Sequence, residues 1–344
     1  MLRTPFFLAI FLISFIVFSP SSLQGQVKPV SSDPCRQPLT RQGVQDDVLN
    51  TSNAPNHSLR AENTPSSHDN KEDHELTKEE RPPKIGNFAL PTSQQPAALF
   101  GFGGNIIDKG EVQFYFFADQ FIGKKKTTID LIPSVLFGVT DAWSIFFNTP
   151  FTPLLKDSPY SSRGLEDFFV QFEYAFYNKS TIDYVDQATL VTNITFPTGS
   201  ARKIPPTGFG SPSFFLGGTY YRTWVDWFVF TSHGAVLTTS EHGTKIGDQF
   251  LYQMGFGRNF SSPEGWIYAA LMEVDGQYNK KNRIKGEIDK NSGGNVIYVT
   301  PSLWISSKEM LIQLGISLPV YQNVFGHQNK FDYALNLNFG WSFY

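Results

Sequence analysis

The chain has a single cysteine, Cys35, and so cannot close a disulfide within itself. It also lacks a charge excess. Its 28 Lys and Arg against 31 Asp and Glu leave a net charge of -3, too weak a field to attract nucleic acid. Charged residues of both signs make up only 17%, where about 25% is usual for a soluble protein. Long hydrophobic runs are missing as well. The longest, Phe6 to Phe18, falls short of the roughly 20 apolar residues that a helix needs to span a bilayer. Residence in a membrane therefore has to come from strands, because only helices and closed barrels satisfy their backbone hydrogen bonds in lipid.

Catalytic and metal-binding patterns are equally scarce. No zincin motif, phosphate loop or dinucleotide fingerprint is present. Ser232 and His233 are adjacent, so on a strand they face opposite sides and cannot share a proton. Glu241 and His242 near an outer rim do not by themselves specify a protease site. His57, His68 and His74 sit near acidic residues, but their spacing matches no compact ligand set and reads as a solvated linker. The expectation is a protein that is not an enzyme, with no metal and no cofactor.

What is abundant is phenylalanine, at 33 residues. Residues 1–26 read as a secretory signal peptide: Arg3 opens it, the apolar run follows, and Ser19 to Gly25 forms a small, polar exit. Residues 27–91 are rich in Ser, Asn, Pro, Gln and charge, too polar to offset their ordering entropy, and are expected to be a disordered periplasmic segment. Residues 92–344 are expected to form the barrel. There, runs of about ten residues alternate in polarity between turn-forming breaks, from Glu111–Asp119 to Phe331–Phe343. The last run places Phe331, Tyr333, Leu335, Leu337, Phe339, Trp341 and Phe343 on one side, with small and polar residues on the other.

Twelve such runs can be counted, joined alternately by short and long connections, as in a membrane barrel with turns on one rim and loops on the other. An even strand count leaves both ends on the short-turn, periplasmic side. The expected fold is all-β, an antiparallel transmembrane β-barrel of about 12 strands in the bacterial outer membrane, preceded by the disordered segment. Trp143, Trp266, Tyr268, Trp304 and Trp341, near strand ends, are candidates for interface belts.

Projecting the inward face collects carboxylates. Glu111, Asp130, Glu173, Glu273, Asp275 and Asp332 are the candidate selectivity residues: either they give a lumen that favours cations or neutral solutes over anions, or they hydrogen-bond one another or water and hold the barrel together. Inward Phe117, Phe146, Phe169 and Tyr221 either occlude the barrel or offer an apolar path. Expected partners are outer-membrane lipid and lipopolysaccharide, the barrel-assembly machinery during biogenesis, and a small-molecule solute. The charge of the outer loop holding Lys280, Lys281, Arg283, Lys285 and Lys290 is read most simply as solvation, with binding to anionic lipopolysaccharide as the weaker alternative.

Several motifs carry a resemblance. Phe137-Gly138-Val139-Thr140-Asp141, Gly164-Leu165-Glu166-Asp167, Phe196-Pro197-Thr198-Gly199, Val299 to Leu303, Leu311 to Gln322 and Phe325 to Gln328 resemble transporter-like outer-membrane proteins related to the phenol-degradation MetA-pathway family. The match runs from about Phe100 to Tyr344. It implies an outer-membrane barrel with a transport role and no catalytic residues. Two functions follow as expectations: a passive channel or transporter for small hydrophobic or cationic solutes, or a structural, surface-interacting protein whose barrel is occluded.

Overall fold

The computed structural model describes residues 85–343, His242 excepted. The signal peptide, Cys35, the three histidines of the linker and most of the polar segment expected over 27–91 lie outside the described residues.

Period-two alternation, rich in aromatic and β-branched residues, builds the wall. Twelve antiparallel strands close on themselves: β1 (Val112–Ile122), β2 (Lys126–Thr140), β3 (Trp143–Asn148), β6 (Phe169–Ser180), β7 (Tyr184–Thr195), β8 (Ser213–Trp224), β9 (Trp227–Thr238), β12 (Gln249–Ser261), β13 (Trp266–Asn279), β16 (Gly294–Ser307), β17 (Met310–Val324) and β18 (Tyr333–Phe343). The seam is the pairing of β1 with β18, from Val112 opposite Phe343 to Ile122 opposite Tyr333. Closure leaves these twelve strands no free edge to lipid.

Outward and inward faces follow the sequence pattern. Along β17, Leu314, Ile316 and Leu318 are exposed to the bilayer while Gln313, Gly315 and Ser317 are buried inside. Turns on the side of the chain's entry are short, such as 141–142, 225–226 and 308–309, and the opposite connections, the three-residue turn 123–125 excepted, are longer.

The longer connections contain structure that the sequence pattern does not announce. Strand β3 stops at Asn148, and Thr149-Pro150 breaks the run. Strand β4 (Phe151–Asp157) then takes over the outer half of β2 and folds back with β5 (Tyr160–Leu165) as a hairpin beyond the wall. Two other loops together form a small sheet of four two-residue strands, β10 (Ser240–Glu241), β11 (Thr244–Lys245), β14 (Arg283–Ile284) and β15 (Glu287–Ile288).

Two aromatic assignments are corrected. Trp304 is not in an interface belt: it is buried at 3% exposure, points into the barrel, and donates its indole N–H to Ser306 Oγ at 2.8 Å. Trp143 and Trp341 do face outward. Phe331 precedes the last strand and turns inward against Phe121, with ring centroids 5.4 Å apart. The alternation holds from Tyr333 onward.

Candidate functional site

Ahead of the first strand, residues 86–107 run inside the barrel. Two single 3₁₀ turns, Gly86–Ala89 and Thr92–Gln94, begin the segment. Near the short-turn rim, Asn87 N donates to Val225 O at 2.6 Å. Gln94 Nε2 then donates to Ser342 Oγ at 2.6 Å, and Ser306 Oγ donates to Gln94 O at 2.7 Å. Higher in the lumen, Gln253 Nε2 donates to Phe100 O at 2.6 Å, and the Thr219 hydroxyl donates to Phe102 O. The segment rejoins the wall where Gly110 N donates to Gly138 O at 2.8 Å. The contacts inside the lumen pair backbone and amide groups that would otherwise be stranded in a water-poor interior.

Gly103 and Gly104 make the turn possible. Both have positive φ, at 79° and 91°, where a side chain is strained. A Cβ on Gly104 would also lie 2.6 Å from the ring of Tyr221. On the apolar side, Phe102 sits edge-on to Phe215 with centroids 4.6 Å apart. The wall leaves it room at Gly217, where a Cβ would come within 2.5 Å of the Phe102 ring.

The sequence-derived carboxylates divide into groups. Glu273 is fully buried and accepts the backbone N–H groups of Leu99 at 2.7 Å and Phe100 at 3.3 Å. Glu173, five strands around the wall, is also fully buried and accepts the backbone and side-chain N–H of Asn105 at 2.9 and 2.6 Å. Together they hold the apex of the interior segment from two directions. Asp275 shares the inward face of β13 with Glu273 and accepts from Thr300 Oγ1 at 3.0 Å. Glu111 accepts from Ser93 Oγ, Gln113 Nε2 and Asp108 N at 3.1, 2.9 and 3.2 Å. Asp130 is buried on β2 opposite Asp119. Asp332 is apart from all of these, exposed at the outer rim before β18, with its backbone N–H on Ile122 O.

Above the interior segment lies a cavity of about 170 Å³. Its floor is residues 97–102, and its apolar walls include Phe117, Ile132, Phe146, Phe169, Phe215 and Leu251. Asn148, Gln171, Asn193 and Asn338 contribute polar groups among them, with Asp119 as the one carboxylate of the lining. Three of the four inward aromatics picked out in the sequence, Phe117, Phe146 and Phe169, line it, with Tyr115 stacked on Phe117 at 5.7 Å, while Tyr221 lies outside the lining and donates to Gly103 O at 3.1 Å.

At the outer rim two of the resemblance motifs dock on each other. Asp167 accepts N–H groups from Gly199 at 2.8 Å and Phe209 at 2.6 Å, while Thr198 Oγ1 donates to Glu166 O at 2.9 Å. Burial raises the Asp167 carboxyl above its ordinary value, and the two N–H donors offset part of that rise. Gly199 is required by contact, since a Cβ there would lie 2.5 Å from Thr207 O.

The strand pattern does not reveal the interior segment. Its signal is the run Pro96 to Gly104, apolar and glycine-rich without period two, which fits neither a strand nor a solvated tail.

The fold and lumen define an outer-membrane β-barrel protein of the bacterial cell. It resembles an outer-membrane channel of Pseudomonas putida F1 with a TM-score of 0.57 at 12% identity, over 71% of this chain and 100% of the channel. Less similar are the β domain of the Bordetella autotransporter BrkA (TM-score 0.39, 10% identity, 69% of this chain and 100% of that domain) and LpxR from Salmonella typhimurium (0.37, 9%, 67% and 99%). No family model and no curated protein sequence matches the chain. An outer-membrane β-barrel fold is therefore shown, and the transporter-like and phenol-degradation relation is carried by the motifs alone. The expectation that the chain is not an enzyme is corrected: a barrel fold by itself gives no ground for excluding catalysis.

Proposed function

We propose that the protein is a passive outer-membrane channel or transporter for small hydrophobic solutes. The observation that carries this reading is the aromatic cavity of about 170 Å³ over the interior segment. An apolar cavity of about 150 Å³ holds benzene, so the space suits a single ring. Asn148, Gln171, Asn193 and Asn338 would orient one or two polar substituents, the usual division of labour in a small-molecule site. The motif resemblance to phenol-degradation proteins points the same way. A hydrophobic solute is favoured over a cation because Glu173 and Glu273 already accept N–H groups of the interior segment, which makes them its anchors rather than free selectivity charges.

A second reading, an occluded barrel serving as a surface anchor, draws on the same segment filling the lumen. Single-channel recording of the refolded full chain separates the two. Under the channel reading, a small ion current is blocked saturably by a phenol-sized solute. A current indifferent to the solute overturns that reading, and silence in a correctly folded barrel favours the anchor.

A further inference from the structure

Where the loops after β9 and β13 form their small sheet, they enclose a cleft of about 710 Å³ lined by Ser240, Lys245, Asp248, Lys280, Lys281 and Arg283, with glycines and Ile288 between them. Among the described residues, four cations face one carboxylate there, in a chain whose net charge is -3. Asp248 is shared by Lys245 at 2.9 Å and Lys280 at 3.2 Å, so it neutralises one charge of the four. Lys281 is held with its ammonium 5.1 Å above the Phe325 ring, and Arg283 is exposed on β14. The other acidic residues of the sheet, Glu241 and Glu287, do not line the cleft. Neutralising the surplus asks for an anion with several acceptor oxygens, and a guanidinium fork beside ammonium groups matches phosphate better than a single carboxylate.

We propose that this cleft binds a phosphate monoester, and that its occupant is the phosphorylated headgroup of the lipopolysaccharide surrounding the barrel. The cleft lies on the longer-loop rim, opposite the side where the chain enters, and that rim meets the outer leaflet. The assignment is independent of what the lumen carries. Such binding is electrostatic and partly solvent-exposed, so it weakens as salt shortens the screening length.

The test uses the refolded full chain in detergent with three probes: purified lipopolysaccharide, the same material after dephosphorylation, and inorganic phosphate. Lys281→Ala with Arg283→Ala should weaken lipopolysaccharide binding at least tenfold, and the Lys281→Arg, Arg283→Lys pair should restore most of it. Retention of the heat-modifiable gel shift shows that each variant is folded. Equal affinity for inorganic phosphate, with nothing gained from the lipid, would assign the same cleft to the free anion. Unchanged binding in the double alanine variant, or equal binding of dephosphorylated lipopolysaccharide, overturns the proposal.

Discussion

Glu273 and Leu99 are joined inside the barrel by a 2.7 Å hydrogen bond, a backbone amide of the interior segment donating to a fully buried wall carboxylate. The same carboxylate takes the next amide, of Phe100, on its other oxygen. Glu273→Ala leaves both donors unpaired in a site that excludes water, at about 1–3 kcal/mol each. The expected outcome is a larger, noisier single-channel conductance with the barrel still folded. Glu273→Gln keeps one acceptor and should fall between the two.

The apex also depends on backbone freedom. Gly104→Val meets both a positive φ and the Tyr221 ring, so the segment should be displaced from the lumen. Limited proteolysis checks this: sites within residues 97–105 become cleavable in the variant while the wall stays resistant.

Tryptophan positions offer a sharp readout of face. In single-tryptophan variants reconstituted with brominated lipid, Trp143, Trp227 and Trp341, all exposed on the outer wall, should be strongly quenched. Trp304, buried in the lumen, should not. Quenching of Trp304 equal to that of Trp341 would place it back in an interface belt.

The wall strands are legible in the sequence because a period of two, repeated over ten residues, fits little besides a strand with one apolar face, as in Leu314, Ile316 and Leu318 against Gln313 and Ser317. Parity misleads near a strand end, at Phe331, where the chain turns before Tyr333, and the belt assignment of Trp304 fails because it rests on nearness to a strand end, whereas alternation with Leu303 places it inward. Composition alone does not separate an outward interface tryptophan from an inward one. The carboxylates Glu173, Glu273 and Asp275 are legible as inward, but their partners are not, because Leu99, Phe100 and Asn105 bind them largely through backbone groups that every sequence possesses. Asp332 reads as inward only if the last strand is extended two residues too far.

Asp167 and Gly199 fasten the outer loops. Asp167→Ala removes the acceptor for two amides, and Gly199→Ala forces a Cβ to within 2.5 Å of Thr207 O. Either change should lower hydrogen-exchange protection of the Gly199 and Phe209 amides by about 1–2 kcal/mol in local opening energy, with the wall amides unaffected.

The small outer sheet should respond to acid. Burial alone would raise the Asp248 carboxyl, but Lys245, Thr238 N–H and Lys280 outweigh it and hold it below its ordinary value. A carboxylate depressed in the folded state stabilises the fold above its unfolded pKa of about 3.9, and that contribution is lost as pH falls through the lower folded value. Because its partners Lys245 and Lys280 are themselves partly exposed at the rim, the effect should stay below about 1 kcal/mol. Exchange at the Thr238 amide should accelerate only below about pH 4 in the wild type, and Asp248→Ala, which removes the acceptor, should exchange fast at every pH.

The most direct test of the lumen as a solute site is calorimetric titration of a single-ring aromatic, such as toluene, into the refolded full chain and into Asn193→Trp, which places an indole in the cavity. Saturable binding by the wild type, weakened at least tenfold in the filled variant, is the result expected. Absence of saturable binding, or equal binding by both proteins, would contradict it.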